Sequence, residues 1–509
     1  MQLRLRLPLL FKKKGVPDFS LKDLNKPQQL EGKLPEGFEE VEKYWLEKPF
    51  SAALIAVHES KGYYYCVLEP SLSDEEQVLL NQLRKEILKI VPKYVSDDDR
   101  TTLFNAFRHV VRERLIPIET ASKFWYYIER DALKAGKITP LLHDPYIEDI
   151  SCSGYGKPVY VYHSKYESMP TSIVMQEEEL DDFVLSVAQR KGIELSIANP
   201  IVDTTLYDGS RIQITFRSEV TDHGSTFTVR KIRKEPITPV SLISWNTFSA
   251  EEMALIWLSL ESNSSILFAG GTAGGKTTAM NAAALFIPPN AKIISIEDTR
   301  EIILPHKNWI PSVAGKADMF SLLKTALRHR PDYIIVGEVR GKEALTLFQA
   351  MTTGHTCYST MHAGSIREMV LRLEAEPINV PHHMLSALDI VCLQLLTYHK
   401  DERVRRNQSI VEIIGVDPST GALRTNRVYE RNPVTDKFEK VGDSYVLKKI
   451  ARERGWGVLE LERELKNRQQ VLEYLAQRNI RRLGEVARVI RSYYYAPEGV
   501  MKQIREHTI

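Results

Sequence analysis

Apolar and polar positions alternate with different periods along the chain. "SAALIAVHE" and "GYYYCVLEP" are short apolar runs rich in aromatic and β-branched residues, and Ser60-Lys61-Gly62 predicts a hairpin between them. In "SLSDEEQVLLNQLRKEILKIV", Val78, Leu79, Leu83, Ile87 and Ile90 keep helical spacing, and Ser73 with Glu76 forms a capping box. Helical segments continue to about Ala135. Residues 16–50, rich in Pro, Lys and Glu, predict a poorly ordered lead-in. From Thr139 to Lys234 the pattern becomes mixed strands and short helices. "GSRIQITF" and "GSTFTVRKI" alternate as half-buried strands do, beside turn glycines Gly209 and Gly224. Pro236 and Pro239 in "RKEPITPVSL" predict an extended linker. Beyond it, strand, helix and strand follow one another as in a parallel sheet covered by helices. The last seventy residues are helical and arginine-rich.

At 509 residues the chain exceeds one compact core and predicts several domains. A formal net charge of +2 does not mark the whole molecule as a nucleic-acid binder. Cys66, Cys152, Cys357 and Cys392 lie far apart without a C-x-x-C pair, which favours a reducing compartment over a disulfide framework. No apolar run reaches the roughly 20 residues of a membrane-spanning helix. The opening "MQLRLRLPLLFKKKG" does not read as a signal peptide, because Arg4 and Arg6 interrupt its apolar segment and Pro8 follows. Residues 1–14 carry positive charge at Arg4, Arg6, Lys12, Lys13 and Lys14 and no negative charge. Two readings stand: a solvated end, or a basic contact with an anionic membrane surface or a membrane partner.

The strongest chemical signal is "ILFAGGTAGGKTTAMNAAALF". It holds G-x-x-x-x-G-K-T between an apolar strand and a helix, the context this phosphate-binding motif requires. The candidate nucleotide-binding run is Gly270, Gly271, Thr272, Ala273, Gly274, Gly275, Lys276, Thr277 and Thr278. Glycines let backbone N–H groups face a triphosphate, and the helix N-terminus adds a favourable field. Lys276 is placed to reach the outer phosphates and Thr277 to ligate Mg²⁺. ATP and Mg²⁺ are therefore the implied ligands.

Two further strands end in acid. "AKIISIEDTREIILPH" ends in Glu297-Asp298 with Glu301 beyond, and "YIIVGEVR" ends in Gly337-Glu338. Acidic groups at the carboxyl ends of parallel strands face the ligand crevice. Glu297 and Glu338 compete for the metal and water-activating roles. Arg328 and Arg330 precede the third strand, and Arg211, Arg217 and Arg230 lie on strands of the preceding region. Each is a candidate for compensating phosphate charge or a solvated surface group. In "GHTCYSTMHAGS", His355 and His362 flank Cys357. Strand alternation disfavours a metal site there, and the spacing alone does not decide between an acid–base pair and core or surface histidines with no role.

"GGTAGGKTT", "IEDTREI", "GEVRGKEAL" and "TTGHTCYSTMHAGS" occur in the order found in the type II and type IV secretion ATPases. The chain resembles that family of ring motors for pilus assembly, secretion and archaellum rotation from Glu148 to Tyr398. Its N-terminal part and "EPSLSDEE" resemble the archaeal branch. The resemblance implies an α/β fold: a RecA-like P-loop motor domain preceded by a PAS-like α+β domain and an N-terminal extension. The implied division is residues 1–137 (extension), 138–235 (PAS-like), 236–245 (linker), 246–435 (ATPase core) and 436–509 (C-terminal helical region of the motor domain). It implies a homohexamer with Glu297 as catalytic glutamate and Glu338 as the Mg²⁺-associated one. Lys276 and Thr277 become P-loop ligands, Arg211 and Arg230 phosphate-contacting arginines, and His355 and His362 the histidine box. The implied setting is the cytoplasmic face of the membrane, with a polytopic inner-membrane platform protein as partner. Gly274 stands where serine is common, and the family's paired C-x-x-C insertion is absent, so no structural zinc is expected. The alternative function is a hexameric RecA-type nucleic-acid translocase or helicase, for which "QRNIRRLGEVARVIR" offers basic helices. A nucleotide-gated scaffold without turnover is a third.

Overall fold

The computed structural model describes residues 18–232, 235–315, 317–400, 402–417, 419 and 422–506, so the basic tail of residues 1–14 lies outside the described residues. The chain forms two compact units, residues 1–232 and 233–509.

The first unit begins with β1 (Leu30–Glu31), β2 (Glu39–Glu47), β3 (Ser51–His58) and β4 (Gly62–Pro70), followed by α1 (Asp74–Ile90), α2 (Asp99–Glu113), α3 (Ile118–Ala132) and α4 (Thr139–His143). Then come β5 (Ile147–Cys152), β6 (Pro158–His163), β7 (Glu167–Val174), α5 (Glu177–Arg190), β8 (Ile201–Thr205), β9 (Arg211–Thr215) and β10 (Thr226–Arg230). These strands form one sheet ordered β2-β3-β4-β7-β6-β5-β10-β9-β8, with β1 on β4. The β3–β4 hairpin forms as its sequence predicts, and Ser73 and Glu76 cap α1 reciprocally.

Two expectations fail here. Residues 39–47, placed in a poorly ordered lead-in, are a nine-residue edge strand paired to β3. Its acidic outer positions disguise it, while Tyr44 and Leu46 pack inward. Charge on an edge strand blocks pairing with other chains. In α1, the buried stripe is Leu80, Leu83 and Ile87, whereas Val78 is 60% exposed. The sequence period is right, but its phase differs by part of a turn.

The second unit opens with α6 (Pro239–Ser244), where an extended linker was expected. Pro239 occupies the first turn, the Thr238 hydroxyl accepts from the Ser241 N–H, and Val240 and Leu242 are buried. Proline starts this helix because the first-turn N–H has no intrahelical partner to lose. Next come α7 (Ala250–Glu261), β11 (Ile266–Gly270), α8 (Lys276–Ala283), β12 (Ile293–Glu297), β13 (Trp309–Val313), α9 (Met319–Arg328), β14 (Tyr333–Val336), α10 (Glu343–Thr352), β15 (Thr356–His362) and α11 (Ile366–Glu374). The unit ends with β16 (Ile390–His399), β17 (Glu402–Val416), β18 (Leu423–Asn432), β19 (Lys437–Lys440), α12 (Tyr445–Arg454), α13 (Val458–Gln477), α14 (Leu483–Tyr495) and α15 (Pro497–Arg505).

Its sheet runs β13-β12-β14-β15-β11-β16-β17-β18-β19. The first six strands are parallel and the last three antiparallel. β11 is buried on both faces. Ile266 and Phe268 join a core with α7 and the C-terminal helices, while Leu267 and Ala269 join one with α9, α10 and α11. That double burial explains why β11 reads as a continuous apolar run. The C-terminal helices are fastened by buried charge. Glu412 accepts from the Tyr445 N–H at 2.6 Å at the start of α12, and Arg468 of α13 pairs with Glu261 of α7 at 2.9 Å.

Candidate phosphate-binding and catalytic site

β11 delivers the chain to Gly270 and α8 leaves from Lys276, so Gly270–Gly275 form the connecting loop. Glycine is required at both ends. A Cβ on Gly270 would lie 2.3 Å from the backbone oxygen of Gln394 on β16, an impossible contact with a rigid neighbour. Gly275 sits at φ +88° as the N-cap of α8, a left-handed conformation that favours glycine. Lys276 is buried, with Nζ donating to the Gly271 carbonyl at 2.9 Å. Burial lowers its pKa, against the raising effect of Glu338. Thr277 and Thr278 are half-buried on the first helical turn.

The strand register brings the acidic groups to the same edge. Gly270 lies level with His362 and Gln394, while Glu297 ends β12 and Glu338 follows β14. A Cβ on Gly337 would approach the Glu297 side chain to 3.3 Å, so the two strand ends abut. Glu297 is 2% exposed. Its Oε1 accepts from the Glu301 and Ile302 N–H groups, both at 2.9 Å, while Oε2 is buried without a partner among the described residues. Burial pushes its carboxyl up to about 7, against the lowering effect of those two N–H donors. Glu338 accepts from Arg340, and its Oε1 lies 3.7 Å from His362 Nε2. Burial lowers the His362 pKa, and the Lys276 charge lowers it further.

Other sequence candidates are not brought together. His355 precedes β15 and His362 ends it, so seven residues of strand separate them by roughly 20 Å. His355 instead contacts Thr353 Oγ1 at 3.3 Å. The two histidines therefore do not meet at one phosphate within this unit. Arg328 and Arg330 precede β14 and lie at the amino edge of the parallel sheet, opposite the loop. There Lys292 Nζ donates to the neighbouring His329 carbonyl. A parallel strand carries its two ends to opposite edges, and proximity in sequence to Glu338 conceals this.

In the first unit, Arg211 and Arg230 are cross-strand partners on β9 and β10. Arg211 pairs with Asp203, Arg230 with Asp149 at 3.5 Å, and Arg217 with Asp181 at 2.9 Å. Sequence reasoning missed Gln394, Arg340 and Arg405. Arg405 of β17 donates from Nε to the Ala273 carbonyl at 2.9 Å, 132 residues away in the chain. No local pattern announces such a contact.

These residues fit a magnesium nucleotide. The glycine-shaped loop, the buried ammonium of Lys276, the Thr277 hydroxyl and Oε1 of Glu338, which accepts no hydrogen bond among the described residues, form the donor set such a ligand needs. Fold and site define an α/β protein with a P-loop between a central parallel strand and a helix, and with a donor set that suits a nucleotide. The family described as type II/IV secretion system protein matches residues 174–483, and a PilB3-like N-terminal family matches residues 26–71. The chain belongs to the type II/IV secretion system family. It is 38% identical to protein MJ0900 of Methanocaldococcus jannaschii, over 84% of this chain and 85% of that one. It is 33% identical to a probable conjugal transfer protein TrbB of Sinorhizobium fredii, over 37% of this chain and 60% of that one. Among solved structures, the ATPase DotB of Legionella pneumophila matches at 19% identity and a TM-score of 0.39, over 55% of this chain and 79% of that one. No described helix is long and apolar enough to cross a membrane.

Proposed function

We propose that the protein is a hexameric ATPase motor that drives protein secretion or assembly of a pilus- or archaellum-type filament at a membrane platform. The observation that carries this reading is Glu297: a buried carboxyl with one oxygen that has no hydrogen-bond partner among the described residues, at the sheet edge shared by the phosphate loop and Glu338. Magnesium ATP supplies the phosphoanhydride to be broken. Lys276 would hold its outer phosphates, and Thr277 with Glu338 would hold the metal. Glu297 takes the proton of the attacking water on Oε2, while the Glu301 and Ile302 N–H groups keep Oε1 fixed. A carboxyl raised to about 7 is matched to that task near neutral pH.

Family membership supports a secretion motor and gives no support to the nucleic-acid translocase. The proposed location is the cytoplasmic face of the membrane, beside a polytopic platform protein. The test measures phosphate release by the full chain with Mg-ATP, alone, with anionic vesicles carrying the platform protein, and with single- and double-stranded DNA. Steady release stimulated by the platform vesicles is expected. No release under any condition, or stimulation by DNA alone, refutes the proposal.

A further inference from the structure

The crest of the phosphate loop is a strained turn. The Gly274 N–H donates to the Gly271 carbonyl at 3.3 Å, and the same carbonyl receives Lys276 Nζ at 2.9 Å. Ala273, the third residue of this turn, has φ +59°. That position normally belongs to glycine, because a Cβ disfavours the left-handed region. A residue in this conformation persists where the surrounding contacts hold it.

Arg405 is so placed. Its Nε donates to the Ala273 carbonyl at 2.9 Å, and its Cδ lies 3.3 Å from the point a Cβ on Gly275 would occupy. The peptide is thus fixed at both ends, by Arg405 at its oxygen and by Gly271 at its nitrogen. β17 is itself anchored at the next residue. Buried Arg406 donates to Asp436 at 2.8 Å and to the Trp245 carbonyl at 3.0 Å, and Arg431 grips the same carboxylate at 2.6 Å. A guanidinium carried on so firmly held a strand loses little freedom in bracing the loop.

We infer that Arg405 is a positioning residue that holds the phosphate loop in its ligand-ready shape by restraining the Ala273 carbonyl. Without it, the peptide turns, Ala273 relaxes to negative φ, and only a fraction of molecules is ready to bind. Apparent affinity falls by that fraction. The inference rests on the reading of this loop as a nucleotide site.

The test uses the full chain and four proteins: wild type, Arg405→Met, Ala273→Gly and the double variant. Arg405→Met keeps an apolar stem without the donor. Calorimetry with Mg²⁺ and a non-hydrolysable ATP analogue should show about tenfold weaker binding for Arg405→Met, or about 1.4 kcal/mol. KM for ATP should rise by a similar factor with kcat changed less than about twofold. Ala273→Gly is measured alone as the reference for the double variant. In the double variant glycine removes the strain, and most of the lost affinity should return. Arg405→Lys, which keeps the charge without the planar fork, should lie between wild type and Arg405→Met, and it serves if the methionine variant does not fold. Wild-type affinity in both Arg405 variants overturns the inference. So does a loss that Ala273→Gly leaves unrepaired, since that marks direct ligand contact or general damage. If the wild type does not bind the analogue, the nucleotide reading fails first and the inference with it.

Discussion

Replacing Glu297 by glutamine should damage turnover and stabilise the fold at once, in a manner that depends on pH. Its carboxyl is raised from an ordinary 4.5 to about 7, mainly by burial. A shift of about 2.5 units at roughly 1.36 kcal/mol per unit places about 3 kcal/mol against the charged form. Below pH 4.5 the group is protonated in both folded and unfolded chains, and no penalty applies. As pH rises through about 7 the folded protein must ionise a carboxylate whose Oε2 has no partner among the described residues, and stability is lost. Glutamine keeps an oxygen for the Glu301 and Ile302 N–H groups and never ionises. Glu297→Gln should therefore exceed the wild type by up to about 3 kcal/mol at pH 8, with the difference vanishing near pH 4–5. Denaturant midpoints of the two nucleotide-free proteins across that range measure it. Turnover should fall about 10²–10⁴-fold at pH 8, the weight of a general base. The wild-type rate should rise with pH through about 7. A variant no more stable than wild type at pH 8 would refute the burial reasoning, and turnover within tenfold of wild type would refute the catalytic assignment.

Glu338→Gln should also lose turnover, but its mark is a raised Mg²⁺ requirement. A magnesium titration of ATP affinity and rate checks this, and normal metal dependence would remove Glu338 from the metal's support. Asp436→Asn should destabilise the second unit by roughly 3–5 kcal/mol at pH 7, since it leaves Arg406 and Arg431 buried without their counter-charge. Burial raises that carboxyl, but the hydrogen bonds from Arg406 and Arg431 outweigh it and hold the group well below its usual range. Its contribution is present above about pH 4 and lost as pH falls further, so melting curves of wild type and variant should converge in strong acid.

Much short-range chemistry was legible in the sequence, although the Thr238-capped helix α6 was read as a linker. Ser73 with Glu76, the β3–β4 hairpin and the strand–loop–helix around Lys276 depend on residues a few positions apart, whose preferences neighbours cannot easily overrule. The two acidic strand ends were legible for the same reason: an apolar run ending in Glu297 or Gly337-Glu338 fixes which end of the strand carries the charge. What the sequence could not give was distance. His355 and His362 look like a pair on paper, yet an extended strand carries them to opposite edges of the sheet, as it does Arg330 and Glu338. The edge strand β2 was hidden because its charges serve to repel other chains rather than to mark a loop. Arg405 and Gln394 reach the phosphate loop only because β16 lies beside β11 and turns back as β17. Such contacts depend on sheet order, and sheet order is decided by how whole strands bury their faces, a property no short stretch of residues contains.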